Sequence, residues 1–249
     1  MFPGGVTPVV QLVAIIRSLP ARKAADLLMA LPVEKQLSVV AALEPDELAG
    51  VLIPMRPDIR QRILATLSAD RLLVVIGKVP ADRAAELLPM VPPERLAPLV
   101  AGLADETLFA LLRQLPADVQ QRVWTAIPRE RGQSIVSLAY QLDVRAALRR
   151  SNADVVVPTG APRGILVATI VGKHIAVATI VGDDGWTAVH DAKEAAHRLR
   201  TVGALAVVDR APADEVADHC RTMDWIDIVT WSGAHDDHYL KRSMVAVLS

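Results

Sequence analysis

A twelve-residue period runs through the first half of the chain and limits its fold more than any other feature. Stepping by twelve from Leu19 meets Leu31, Leu43, Met55, Leu67, Val79, Val91, Leu103, Leu115 and Ile127, all apolar. The pairs eight and nine places after each marker, from Leu27-Leu28 to Val123-Trp124 and Ile135-Val136, are apolar too. Three places after each marker stand Arg22, Glu34, Asp46, Asp58, Asp70, Asp82, Glu94, Glu106, Asp118 and Glu130, acidic in nine of ten. A weaker unit precedes them at Thr7-Pro8 with Ile15-Ile16. Three registers held over so many units define an internal repeat.

Helix geometry dictates what such a repeat can be. At about 100° per residue, twelve residues advance three turns plus roughly 120°, so the stripe would wander around one continuous helix. The chain must therefore break once per unit. Proline follows the marker at Pro20, Pro32, Pro80, Pro92, Pro116 and Pro128, and sits one place later at Pro45 and Pro57. Proline suits a helix start and costs about 3 kcal/mol inside one. The acid that follows falls in the first turn, where the helix dipole favours negative charge. Within a unit, apolar residues recur at i, i+3, i+4 and i+7, as in Leu48, Val51, Leu52 and Met55. Helices this short are marginal alone and must bury that stripe on neighbours. The expectation is a stacked array over residues 7–140, each unit touching mainly the adjacent ones. The first stripe position alternates early through Ala24, Gln36, Leu48, Arg60 and Leu72, which predicts paired helices with one more buried than the other.

These repeats resemble the N-terminal domain of MgtE magnesium transporters and the related repeats of the flagellar rotor protein FliG. The pattern that carries the likeness reads Leu19-Pro20 followed by Ala24-Ala25-Asp26-Leu27-Leu28, and again Val79-Pro80-Ala81-Asp82-Arg83-Ala84-Ala85-Glu86-Leu87-Leu88. The resemblance implies a right-handed superhelix of short helices. It leaves the task open, because such repeats serve different functions.

Past Ser151 the period disappears. Strands are expected at 155–157, 165–171, 175–181, 204–208 and 226–230, with helices at 188–202, 213–223 and 236–248. The hexapeptide Val-Ala-Thr-Ile-Val-Gly occurs at 167–172 and again at 177–182. With Lys173-His174 between the copies, this apolar window reads as a strand hairpin turning at Gly-Lys-His, not a membrane span. The fold class is thus multidomain, α followed by α/β: a helical-repeat domain at 1–150 and a small α/β domain at 151–249, a hairpin followed by a helix-flanked sheet. The order is similar to restriction-endonuclease-like domains of the Mrr type. That family's resemblance would imply an acid on the first hairpin strand and an acid-x-Lys on the second, which hold Mg²⁺. No carboxylate occurs between Asp154 and Asp183, so the expected domain lacks the nuclease centre. A second likeness, to a CBS domain, rests on Asp191 to Asp209; a helix stands where that module needs a hairpin.

Net charge is −1. Cutting at Arg150 leaves 18 basic and 15 acidic residues before it, against 9 and 13 after it; neither part has the basic footprint of a nucleic-acid binder. One cysteine, Cys220, rules out an internal disulfide framework and suits a reducing, cytoplasmic location. The start, Met1-Phe2-Pro3-Gly4-Gly5, has no signal-peptide pattern, and residues 1–6 read as a loose lead-in.

All six histidines follow residue 150. His190, Glu194 and His197 share a helix face and could chelate a metal, but the spacing lacks the signature of a zinc helix and alternating charge on a solvated face explains them too. His235-Asp236-Asp237-His238 reads as a helix start, Asp183-Asp184-Gly185 as a turn. His219 and Cys220, adjacent on a helix, do not face each other. Gly160-Ala161-Pro162-Arg163-Gly164 lacks the lysine of a phosphate loop. Residues 133–150 are expected to form a longer helix ending in Arg145, Arg149 and Arg150. The basic residues Lys23, Lys35, Arg71, Arg83, Arg95 and Arg131 beside the acids read as a solvated face, or else a partner surface. No catalytic, cofactor-binding or metal residue is assigned. The expectation is a non-enzymatic cytoplasmic interaction or regulatory protein with a protein partner and no cofactor. The alternatives are a magnesium-responsive module binding Mg²⁺, and a nuclease with displaced acids such as Asp183 or Asp191.

Overall fold

The computed structural model describes residues 8–248; the expected lead-in at 1–6, the signal-peptide reading and the repeat start at Thr7 lie outside them. The chain divides into two compact units, 1–132 and 133–249. No described helix is long and apolar enough to cross a membrane.

Up to Arg129 the sequence period becomes a period of helix starts. Helices α1 (Val9–Ser18), α2 (Ala21–Ala30), α3 (Val33–Ala42), α4 (Pro45–Leu52), α5 (Pro57–Thr66), α6 (Ala69–Lys78), α7 (Ala81–Leu87), α8 (Pro93–Gly102), α9 (Asp105–Leu112), α10 (Ala117–Ala126) and α11 (Arg129–Arg150) begin twelve residues apart throughout. A residue before proline is pushed out of the α region. So Leu19, at ψ 148°, and Leu31, at ψ 152°, end their helices in extended geometry. Pro20 and Pro32 then stand as N-caps, and their carbonyls accept from the amides of Ala24 and Gln36 at 2.9 Å. Where the proline comes one place later, Glu44 makes a capping box with Glu47. The acidic register lies in first turns, as the dipole argument requires.

Packing departs from the nearest-neighbour expectation. Helices rest chiefly on the next but one: α1 on α3, α2 on α4, α4 on α6, α6 on α8, α7 on α9 and α8 on α10. The repeating structural unit is therefore a helix pair. Gln36 and Arg60 do not mark the less buried helix of each pair, as the alternation predicts; both are buried like Leu48 and Leu72. Their heads reach back to free carbonyls at the end of the previous helix. The Gln36 amide donates to Met29 O at 3.2 Å and Leu31 O at 2.9 Å, and Arg60 Nη2 to Met55 O at 3.0 Å.

Three arginines expected on a solvated face have the same job at longer range. Arg71 donates to the carbonyls of Ala41 at 2.6 Å, Val40 at 2.7 Å and Leu43. Arg95 donates to Leu67 O, and Arg131 to the carbonyls of Val100, Ala101 and Leu103. Each guanidinium caps the C-terminal end of the helix three units earlier, where orphan carbonyls and the dipole favour a cation. At the last pairs the apolar register outlasts its burial, leaving Trp124 36% and Val136 45% exposed.

The second unit is a five-stranded mixed sheet between helices. Strands β1 (Asp154–Val156), β2 (Ile165–Ile170) and β3 (Lys173–Ile180) are antiparallel; β4 (Gly203–Val208) and β5 (Ile226–Thr230) continue parallel to β3, in the order β1-β2-β3-β4-β5. Helices α12 (Trp186–Leu199) and α13 (Asp214–Arg221) make the crossovers, and α14 (Asp237–Ala246) follows β5. A helix thus stands after β4 where a CBS module needs a hairpin. One face of the sheet packs Ala176, Ala178, Ala204 and Ala206 against Ala188, Ala192 and Val216. The other packs Leu166, Val177, Leu205 and Val229 against Val144, Ala147, Leu148, Leu240 and Met244. The longer helix expected at 133–150 is the body of α11 and supplies core to the sheet, and the compact division falls within α11, at Gly132/Gln133, whereas the sequence predicts a boundary after Arg150.

The hairpin turn also differs from expectation. Ile170 pairs with Lys173, so the turn is Val171-Gly172, with φ of 49° and 75°, while Lys173 and His174 belong to β3. Two left-handed residues make the turn that matches strand twist. Val171 accepts a conformation rare for a β-branched residue.

Candidate functional site

A cavity of about 270 Å³ opens at the carboxyl end of β3, the end of the parallel strands β3 to β5 and the side on which ligands settle in open α/β folds. Ser134, Ser137, Leu138 and Gln141 of α11 form one wall, Thr179, Ile180 and Val181 another, with Arg163, Gly164 and Asp191 completing it. Gly164 is demanded locally: its φ is +89°, and a Cβ there would meet Thr179 O at 2.8 Å. That close approach lets Gly164 O accept from the Thr179 amide at 2.8 Å and from its hydroxyl at 3.0 Å. Arg163, exposed at the rim, donates to Ser134 Oγ.

Two polar groups here have no protein partner. Gln141 is 9% exposed as a whole, and its amide, without a protein hydrogen bond, keeps its contact with the cavity. Asp191, half-buried, likewise has no hydrogen bond or ion pair. Burial pushes its carboxyl above the usual range, the charges of Glu194 and Asp183 add to this, and His190 opposes it. A larger groove of about 520 Å³ lies between β5 and α14, but its carboxylates are committed. Asp227 accepts from the Ile228 amide at 2.8 Å, and Asp236 from the Ser232 amide and hydroxyl at 2.9 and 2.7 Å.

The other sequence candidates fall outside the cavity. Asp183 accepts from the amides of Gly185 at 2.8 Å and Thr187 at 3.2 Å, which seats the start of α12. Burial alone would raise its pKa, but these bonds outweigh it and hold the carboxyl below its ordinary value. His190 and Glu194 are an exposed pair at 3.9 Å, and no cluster of three or more His, Cys, Asp or Glu side chains suited to a metal forms among the described residues. Asp237 binds Arg150 at 2.8 Å and Trp231 Nε1 at 2.9 Å. Cys220 is buried, which raises its thiol pKa, and His219 turns away toward Lys193 Nζ at 2.8 Å and the Trp186 ring. Gln141 was not singled out from sequence. Its signal is there nonetheless: at 141, 144 and 148 it shares the inward stripe of α11 with Val144 and Leu148, a polar residue at a core position.

No curated protein matches the chain. Among solved structures, it is similar to the cytosolic domain of the Mg²⁺ channel MgtE in complex with ATP at 14% identity, over 75% of this chain and 92% of that one, with a TM-score of 0.40. It is similar to the soluble part of a magnesium transporter at 12% identity, over 86% and 99%, with a TM-score of 0.38. Superpositions this loose do not bear on the cavity. The N-terminal resemblance stands on sequence: residues 19–107 match the family model of the MgtE intracellular N domain.

Proposed function

We propose that this chain is a non-enzymatic, cytoplasmic interaction or regulatory protein, in which an MgtE-N-like helical stack is joined to a restriction-endonuclease-like α/β unit without the nuclease centre. The match of residues 19–107 to the MgtE intracellular N domain carries the reading. Stacked helix pairs present extended surfaces suited to a protein partner. The α/β unit supports it from the side of chemistry. The polar side chains of the β2–β3 hairpin are Thr169, Lys173, His174 and Thr179, and Thr169 Oγ1 is already bonded to His174 Nδ1 at 2.8 Å. The acids that could replace a lost centre are divided: Asp183 caps α12, and Asp191 stands alone in its cavity. The test is incubation of the full chain with DNA and RNA in millimolar Mg²⁺ or Mn²⁺, where no cleavage is expected. Metal-dependent cleavage lost in Asp183→Ala or Asp191→Ala would overturn the reading.

A magnesium-responsive module is the second reading, favoured by the family name alone. The acidic register lies at helix starts, where the dipole already accounts for it. A melting curve unmoved by millimolar Mg²⁺ is expected; a clear upward shift would favour the magnesium reading instead.

A further inference from the structure

We propose that the cavity between α11 and the carboxyl end of β3 binds a small organic cation, a primary ammonium or amidinium on a short carbon chain, with its charged end on Asp191 and its N–H groups shared with Gln141 and Thr179. This goes beyond the interaction reading and does not depend on it.

Complementarity selects the ligand class. Gln141 brings an amide that opens onto the cavity without a protein hydrogen bond, so an occupant that displaces its solvent should offer it a hydrogen bond. Thr179 is buried, and its hydroxyl, having donated to Gly164 O, keeps lone pairs to accept with. Asp191 adds a carboxylate without a side-chain hydrogen bond or close ion pair, with His190 as the cationic neighbour that acts on it. Burial raises its pKa, His190 pulls it down, and Glu194 and Asp183 raise it further, so a cation beside it would favour the charged form. An anion would meet those same carboxylates. An apolar occupant would leave Gln141 unpaired. A divalent metal prefers several oxygen ligands with more than one negative charge, and the cavity lining holds one carboxylate. Arg163 also lines the cavity, exposed, with its guanidinium held on Ser134 Oγ. Leu138, Ile180 and Val181 line the walls that a carbon chain would cover. At about 270 Å³ the space lies just under the range of drug-sized pockets, which suits a diamine of a few carbons.

Calorimetric titration of the full chain with putrescine tests this, with 1,4-butanediol as the neutral isostere and succinate as the anion. Saturable binding of putrescine alone is expected. Asp191→Asn should weaken it roughly ten-fold or more, because the charge pair is lost, and Gln141→Leu should weaken it less. Both variants should keep the wild-type circular dichroism; Asp191 is half-exposed, so Asn fits its place. Saturable binding of the diol or succinate equal to putrescine, unchanged affinity in Asp191→Asn, displacement of putrescine by equimolar Mg²⁺, or no saturable heat would each overturn the proposal. None of these outcomes touches the cleavage and Mg²⁺ tests above.

Discussion

The helical stack and the α/β unit solve one problem, closing a core, over very different distances along the chain. In the stack, the longest side-chain ties are the arginine caps, which reach 28 to 31 residues back. In the α/β unit, Tyr140 donates to Trp231 O across 91 residues at 2.9 Å, and Arg150 holds Asp237 across 87. The stack is therefore quasi-one-dimensional, each helix answering to its near neighbours. The sheet is complete only when distant strands have met. The difference teaches where a local sequence rule can be trusted: where every contact is near in sequence, one short pattern repeated suffices.

The largest effects should come from matched cavities. Leu64→Ala in α5 and Leu205→Ala in β4 each empty a fully buried site and should cost about 2–5 kcal/mol. Hydrogen exchange should separate them. Leu64→Ala should speed exchange mainly in α3 to α7, whereas Leu205→Ala should speed it across all five strands. Uniform exchange throughout the first unit in Leu64→Ala would break the comparison.

Next comes the arginine cap. Arg71→Met strips donors from the carbonyls of Val40, Ala41 and Leu43 and should cost about 1–3 kcal/mol in urea unfolding. Arg71→Lys should recover only part, since one ammonium cannot fan across three carbonyls. A neutral Arg71→Met would return that arginine to the solvated face first expected of it.

A smaller effect of opposite sign is expected in the hairpin. Val171→Asn places Asn-Gly in a turn whose two central residues are both left-handed, and should stabilise the α/β unit by about 0.5–1 kcal/mol. A drop in melting temperature would show that Val171 earns its place by another route.

The smallest effect is pH-linked. The hydrogen bond from Arg150 holds the Asp237 carboxyl below its ordinary value of 3.8, and Trp231 adds to it. A group depressed in the folded state contributes stability above its unfolded value and loses it as pH falls through the folded one. Wild type should thus exceed Arg150→Ala in stability at neutral pH, by a margin that shrinks below pH 3.8. A margin constant down to the acid limit would show that Arg150 acts through packing rather than charge.

Legibility followed the same divide. The twelve-residue spacing, the first-turn acids and the extended joints before proline all follow from rules acting within a few residues, and each is found where the period put it. In the α/β unit, β5 at Ile226–Thr230 was legible because a short β-branched run has few alternatives. The cavity was not. Asp191 could be noticed as an acid, but its isolation depends on which groups α11 and the 160s loop bring to it. Gln141 is marked as a core position only by Val144 and Leu148 on the same stripe, which face the sheet. The basic register was misread for a related reason: charge on a short helix implies solvent unless a carbonyl row from another helix is known to be near.

The two copies of Val-Ala-Thr-Ile-Val-Gly mark the limit of what sequence determined. By itself it set helix lengths, joints and strand content, because backbone sterics, dipoles and apolar periodicity act locally. Yet the first copy ends in a hairpin turn beside an exposed Thr169–His174 pair, while in the second the buried Thr179 clasps Gly164 and lines the cavity. Identical residues carry no difference between them. Only tertiary structure decided which copy lines the cavity, because burial and hydrogen-bond partners belong to the surroundings of a side chain and not to its place in a word.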